Sequence, residues 1–147
     1  MTAEFPLAVH ALVYLHHTQR FVSSSELADN ICTNPARVRK VLARLHHAGL
    51  VEAREGRSSG YCTIPQSAGI TLAQVLAVLQ EQAVGISWRS GDVDRSCLVC
   101  SGMAGVMDDV YAQLNRRCND ELACITIGQI TDRLFAGQPA AAPAAKT

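Results

Sequence analysis

Apolar positions recur along the chain at two spacings, and the switches between them set out the elements. Leu7, Ala8, Ala11, Leu12 and Leu15 fall three and four residues apart within the almost wholly apolar stretch 5–15, which predicts a helix covering the next elements from behind. Leu27, Ala28 and Ile31 give the buried side of a second, short helix. Ser23 or Ser24 begins it, and Ser23 and Glu26 have the spacing of a capping box. Val38, Val41, Leu42 and Leu45 form the stripe of a third helix, with Asn34 as N-cap, Pro35 at the first helical position and Gly49 just past the last turn. The period then drops to two. Residues 50–54 alternate as a strand, 56–60 is a polar turn, and 61–64 returns before Pro65.

Beyond a short loop, Thr71 and Gln74 repeat the capping-box spacing ahead of Leu72, Val75, Leu76, Val78 and Leu79, a fourth helix closing near Gln82. Gly, Ser and Asp dominate 83–96, which reads as a hinge with Trp88 as its anchor against a neighbour. No proline occurs from 101 to about 122, where Met103, Met107, Val110, Leu114 and Cys118 recur every three or four residues. Thr126 caps a last short helix, 127–135, and residues 137–147 form a low-complexity tail expected to be disordered. There are no internal repeats.

Two helices joined by a tight turn and followed by a hairpin outline a winged helix-turn-helix. The expected fold is mainly α with a small β wing. Residues 1–82 form the winged DNA-binding domain, and 83–136 the hinge, a long dimerisation helix and the terminal helix. A helix of roughly 30 Å leaves an apolar edge that one chain does not satisfy. Pairing with a second subunit follows, and a two-fold dimer presents two reading heads to a palindromic element in double-stranded DNA.

Composition narrows the reading without deciding it. With 48% hydrophobic residues the chain is no disordered protein, and 13 Lys+Arg against 13 Asp+Glu give no bulk charge to suggest nucleic acid. The distribution is more telling. Residues 33–60 carry six Lys/Arg against Glu52 and Glu55, while acidic pairs such as Asp108-Asp109 and Asp120-Glu121 lie later. On the third helix Arg37, Lys40 and Arg44 fall at i, i+3 and i+7, away from the apolar stripe. A solvated face is the commoner explanation of a basic run; here turn, helix and basic wing come in the order DNA binding needs. The residues expected at DNA are Ser24 and Ser25 for phosphates, Asn34, Arg37, Lys40 and Arg44 on the recognition helix, and Arg57, Ser58 and Ser59 in the wing. No stretch has the apolar length of a membrane span and the N-terminus lacks signal-peptide features, so a cytoplasmic protein is expected.

The chain also resembles a known family. ELADNICTNPARVRKVLARLHHAGLVEAREGRSSGY is similar to the DNA-binding half of the Rrf-two family of bacterial repressors, which includes iron–sulfur, nitric-oxide and thiol sensors. The resemblance extends to FPLAVHALVYL, ITLAQVLAVLQ and CLVCSGMAGVMDDVYAQL, the last most similar to a thiol-sensing branch of YwnA/HypR-like regulators. It implies a dimeric repressor. The family's wing usually reads Arg-Gly-x-x-Gly-Gly-Tyr, where this chain has Glu55 and Gly56, then Ser59, Gly60 and Tyr61.

Six cysteines in a reducing compartment point to buried thiols, metal ligands or redox switches. Cys97 and Cys100 form a Cys-x-x-Cys, but Cys118 and Cys124 have five residues between them, unlike a zinc site's second pair. Nor do they reproduce the three evenly spaced cysteines of cluster-bearing relatives. An iron–sulfur cluster remains the alternative, with His10 a candidate ligand or a packed, hydrogen-bonded residue; no resident cofactor is the first expectation. The third reading is thiol chemistry. Arg95 stands two residues from Cys97 and favours its thiolate, and Cys97 can meet Cys32, in the turn of the reading head, across the dimer, with Cys100 as local competitor. Cys32 reads equally as a small buried filler of the turn, and Cys62 as packing. A redox enzyme built on Cys97 and Cys100 lacks the βαβ context such a motif needs, so no enzyme is expected; a winged-helix module that binds an acidic protein is the other rival.

Overall fold

The computed structural model describes residues 1–136. The tail expected at 137–147 lies outside the described residues. Helix α1, Glu4–Thr18, runs through the middle of the domain and buries Phe5, Leu7, Ala8, Ala11, Leu12, Val13 and Leu15. It ends where Gln19 turns left-handed and its N–H returns to the Leu15 carbonyl. Helices α2, Ser24–Ile31, and α3, Pro35–His47, pack over it through Leu27 and Ala28 and through Val38, Val41, Leu42 and Leu45.

The helix ends follow the sequence closely. Ser23 accepts the Glu26 N–H as N-cap of α2, but the capping box is only half made. Glu26 turns its carboxylate instead to Arg20 and to the Tyr14 hydroxyl at 2.9 Å, tying α2 to α1. Asn34 caps α3 by accepting the Arg37 N–H at 2.9 Å. At the other end Gly49, at φ +74°, closes a Schellman turn, its N–H on His46 O and that of Leu50 on Leu45 O.

The wing is an antiparallel pair, β1 Val51–Arg54 and β2 Gly60–Thr63, with Ala53 opposite Tyr61 and Arg54 opposite Gly60. A third segment joins it. Val22 N–H donates to Tyr61 O at 2.8 Å and Tyr61 N–H to Val22 O at 2.9 Å, so the approach to α2 is fastened to the wing. A Cβ on Gly60 would lie 2.6 Å from Val22 O, and this glycine therefore permits the contact.

Helix α4, Leu72–Val78, has the complete Thr71/Gln74 capping box but stops short of residue 82, because Gln80 adopts φ +50°. Helix α5, Leu98–Ala123, is longer than expected at 26 residues, about 39 Å at 1.5 Å per residue. None of its side chains is buried.

The stretch expected as hinge is fastened along α5. Asn115 accepts the Val84 N–H at 2.8 Å and donates to Val84 O at 3.0 Å, Arg89 pairs with Asp108, and Asp92 N–H reaches Cys100 O at 3.1 Å. Trp88 is no anchor within the chain, being 77% exposed.

Helix α6, Ile127–Phe135, then returns to the winged head, where Thr71 bridges Thr126 and Ile127 is fully buried in the same core as Leu15 and Leu76. Burying such a side chain contributes roughly 1.5–3 kcal/mol. The last helix thus completes the core of the winged head.

Candidate nucleic-acid interface

Helix α3 carries cations on two flanks, and the fold treats them differently. On the flank toward α1 stand Arg37, Lys40 and Arg44, the last two paired with one carboxylate at the start of α1. Lys40 Nζ lies 2.6 Å from Glu4 Oε1 and Arg44 Nη1 3.1 Å from Glu4 Oε2. Arg44 also donates to Val78 O at 3.3 Å and keeps only 32% of its side chain exposed, against 68% for Lys40. Charge attraction by all three cations, led by the Lys40 hydrogen bond, holds the Glu4 carboxyl below its ordinary pKa despite partial desolvation. The row is therefore partly neutralised, and Arg44 is committed to the fold.

The flank toward the wing borders an open cleft. Ser23, Ser24, Arg39, Arg54, Ser59 and Gly60 line an open cleft of about 770 Å³ between the start of α2, α3 and the wing. Arg39 Nη1 donates to Ser24 Oγ at 3.2 Å, and the Arg54 guanidinium rests 3.9 Å above the Phe21 ring. Ser25 lines the same cleft, and His46 joins α3 to β1 through Val51 O at 3.1 Å. At the wing tip Gly56, at φ +94°, opens a turn closed by Ser59 N–H on Gly56 O, which leaves Arg57 and Ser58 exposed at its two central positions.

Arg39 and Arg54 are absent from the residues expected at DNA, yet both sit in the cleft. Arg39 is one residue out of the i, i+3, i+7 row, and its side was legible only through His46, seven residues on, which faces the strand. Asn34 Oδ1 is already used as the α3 cap. A duplex lying along α3 and the wing would meet Arg39, Lys40, the serine hydroxyls and Arg57, groups that donate hydrogen bonds to phosphate oxygens.

The thiols are distributed widely. Cys32 is exposed, unlike a buried filler of the turn, and takes φ +58° at the end of α2, a conformation glycine usually supplies. Neither packing nor backbone ease explains a cysteine there. Cys97 is the exposed N-cap residue of α5. Backbone N–H groups of Cys100 and, next, Val99 favour its thiolate and lower its pKa, although the sulfur makes no complete capping hydrogen bond. Arg95, the expected cause, pairs with Asp92 at 3.8 Å instead. Cys100 is half-buried one turn on, and Cys62 half-buried in the wing. His10 is hydrogen-bonded to Asn30 Oδ1 at 2.9 Å.

Cys97 and Cys118 stand at opposite ends of α5, roughly 30 Å apart along the axis. Among the described residues no three His, Cys, Asp or Glu side chains stand close enough to share a metal ion. No described helix is long and apolar enough to cross a membrane.

Against this geometry the comparisons with known proteins agree in kind. A family model described as "Rrf2: Iron-dependent Transcriptional regulator" matches residues 1–133. The "Putative HTH-type transcriptional regulator YwnA" of Bacillus subtilis is 24% identical over 135 residues, 92% of this chain and 99% of that protein. Among solved structures, a "putative transcriptional regulator" from Lactobacillus plantarum superposes with a TM-score of 0.80 at 21% identity, covering 93% of each chain. CymR, titled the global cysteine regulator of B. subtilis, does so with a TM-score of 0.66 at 13% identity over 90% of this chain and 96% of its own. These two likenesses establish the winged-helix fold.

Proposed function

Because the chain belongs to the Rrf2 family of transcriptional regulators, which are DNA-binding proteins and not enzymes, we propose that it is a dimeric repressor of a palindromic promoter element, controlled by oxidation of its cysteines. The observation that carries the DNA part is the cleft between α2, α3 and the wing, which Arg39, Arg54, Ser23, Ser24, Ser25 and Ser59 line together with Glu55. Phosphates position such a protein, and the exposed residues of α3 then reach base edges in the major groove.

The dimer is supported by α5. Val99, Met103, Val106, Val110 and Leu114 lie along one edge of it and are all exposed in a single chain. A second copy of the same edge covers them and sets the two reading heads at a fixed spacing.

Control rests on Cys97 and Cys32. The first is an exposed thiol with a lowered pKa, and the second occupies the turn that aims α3. Oxidation joins Cys97 of one subunit to Cys32 of the other; the two thiols lose two protons and two electrons to a peroxide-class oxidant, which is reduced to water or alcohol and water. This reading uses no iron, because the cysteines of one chain, among the described residues, are dispersed over both ends of α5, the wing and the reading head.

The test compares wild type with Cys32→Ser, Cys97→Ser and Cys100→Ser under hydrogen peroxide. Non-reducing gels should show a linked dimer that Cys32→Ser and Cys97→Ser each abolish and Cys100→Ser retains, with a parallel change in DNA affinity. Cross-linking that survives in both of the first two variants would remove the switch.

A further inference from the structure

The recognition helix offers three cations on one side, and a single residue from another element pairs directly with two of them. We propose that Glu4 limits how much of this charge is available to phosphate, and so holds down binding to random-sequence DNA relative to the operator. The inference rests on the DNA-binding reading above and adds a specificity-determining residue to it.

Glu4 is placed by the core. It is the first residue of α1, directly before the buried Phe5 and three residues ahead of the buried Leu7, so the packed start of α1 sets its position beside α3. Its two oxygens are divided between Lys40 and Arg44, at 2.6 and 3.1 Å, and Arg37 adds its field. Only 19% of the Glu4 side chain is exposed, which weakens screening by salt and water. Arg44 is held a second time by Val78 O. Lys40 is different, because most of its side chain is exposed and the carboxylate is its one partner among the described contacts.

The consequence concerns counterions. Random-sequence affinity comes from phosphates displacing the condensed ions of the duplex, in proportion to the cations delivered. A lysine already neutralised by an internal carboxylate delivers less, and the carboxylate itself repels the backbone. Operator binding loses less by this, since base contacts add to it and can draw Lys40 off Glu4. An acidic residue beside a reading helix thus raises the ratio of specific to random binding while lowering both affinities, a repulsive element used for discrimination.

The experiment measures binding of the full chain to a fluorescent random-sequence duplex by anisotropy across a salt series, for wild type, Glu4→Gln, Glu4→Asp and Glu4→Ala. Glu4→Gln should bind several-fold more tightly at about 0.1 M salt and steepen the slope of log K against log salt by about 0.9 for each cation freed. Glu4→Asp keeps the charge and should stay near the wild-type slope. Glu4→Ala removes the carboxylate by a different shape and must move in the direction of Glu4→Gln, which keeps the test decisive if one variant folds poorly. Adding Lys40→Met to Glu4→Gln should reverse the gain. A wild type without salt-dependent duplex binding would remove the DNA surface and this role with it. A wild type that binds while both neutral variants keep its slope and affinity would remove the role of Glu4 alone.

Discussion

Replacing Gly60 by alanine puts a methyl group where the backbone of the segment before α2 already lies. The new Cβ would stand 2.6 Å from Val22 O and 2.9 Å from Val22 C, both main-chain atoms that cannot rotate away. Relief requires the Val22 segment to separate from β2, at the expense of the paired hydrogen bonds between Val22 and Tyr61 at 2.8 and 2.9 Å. Two such bonds are worth about 1–3 kcal/mol net, and strain from the forced contact adds about as much. Stiffening of the unfolded chain by alanine offsets about 0.4–1 kcal/mol. A loss of about 1–5 kcal/mol follows, measured by urea unfolding followed by far-UV circular dichroism at matched protein concentrations. Gly69→Ala is the comparator, because a Cβ there meets nothing within 4 Å. The displaced segment leads into Ser23, the α2 cap, so DNA affinity should fall as well. Equal stability of the two variants, both within about 0.5 kcal/mol of wild type, would refute the argument that the wing is held by this close approach.

Truncating Ile127 to alanine should destabilise the whole winged head by about 2–5 kcal/mol, with one unfolding transition for all helices, since this side chain of α6 lies in the common core. Separate transitions for the head and the C-terminal part would contradict the shared core. In acid, Glu4 and Glu26 supply the pH dependence: both folded-state carboxyls lie below the ordinary value of 4.5, the first through Lys40 and the second through Arg20 and Tyr14. Their contribution is fully present above that value and is lost as pH falls through the folded-state pKa. Glu4→Gln and Glu26→Gln should each flatten this acid limb, read as midpoint against pH; unchanged limbs in both would dismiss the pairs as stabilising.

The local signals were legible because their causes are local. Asn34, Pro35 and Gly49 marked both ends of α3, and the stripe Val38, Val41, Leu42, Leu45 is the set the structure buries. Contacts between distant parts of the chain left no such mark. A single-residue bridge from Val22 to Tyr61 has no period, and Ile127 looks like any apolar residue of a short helix until Ile70 N-terminal to α4 is seen to accept its N–H. At the site, spacing alone picked out Arg37, Lys40 and Arg44 as a row but could not reveal that a carboxylate more than thirty residues earlier holds two of them. Arg39 fell outside the row and was passed over, although its flank faces the wing. The lowered pKa of Cys97 has a helix start as its cause where a neighbouring arginine seemed sufficient, because Arg95 turns to Asp92.

The central claim is that the α3 and wing surface binds duplex DNA, with Arg39 among its phosphate-facing groups. A fluorescence-anisotropy salt series on a random-sequence duplex tests it most directly, comparing wild type with Arg39→Ala. Log K should fall linearly with log salt in the wild type, and Arg39→Ala should weaken binding across sequences while reducing the magnitude of the slope by about one. Wild-type binding that is absent or insensitive to salt, or an Arg39→Ala slope and affinity equal to wild type, would contradict it.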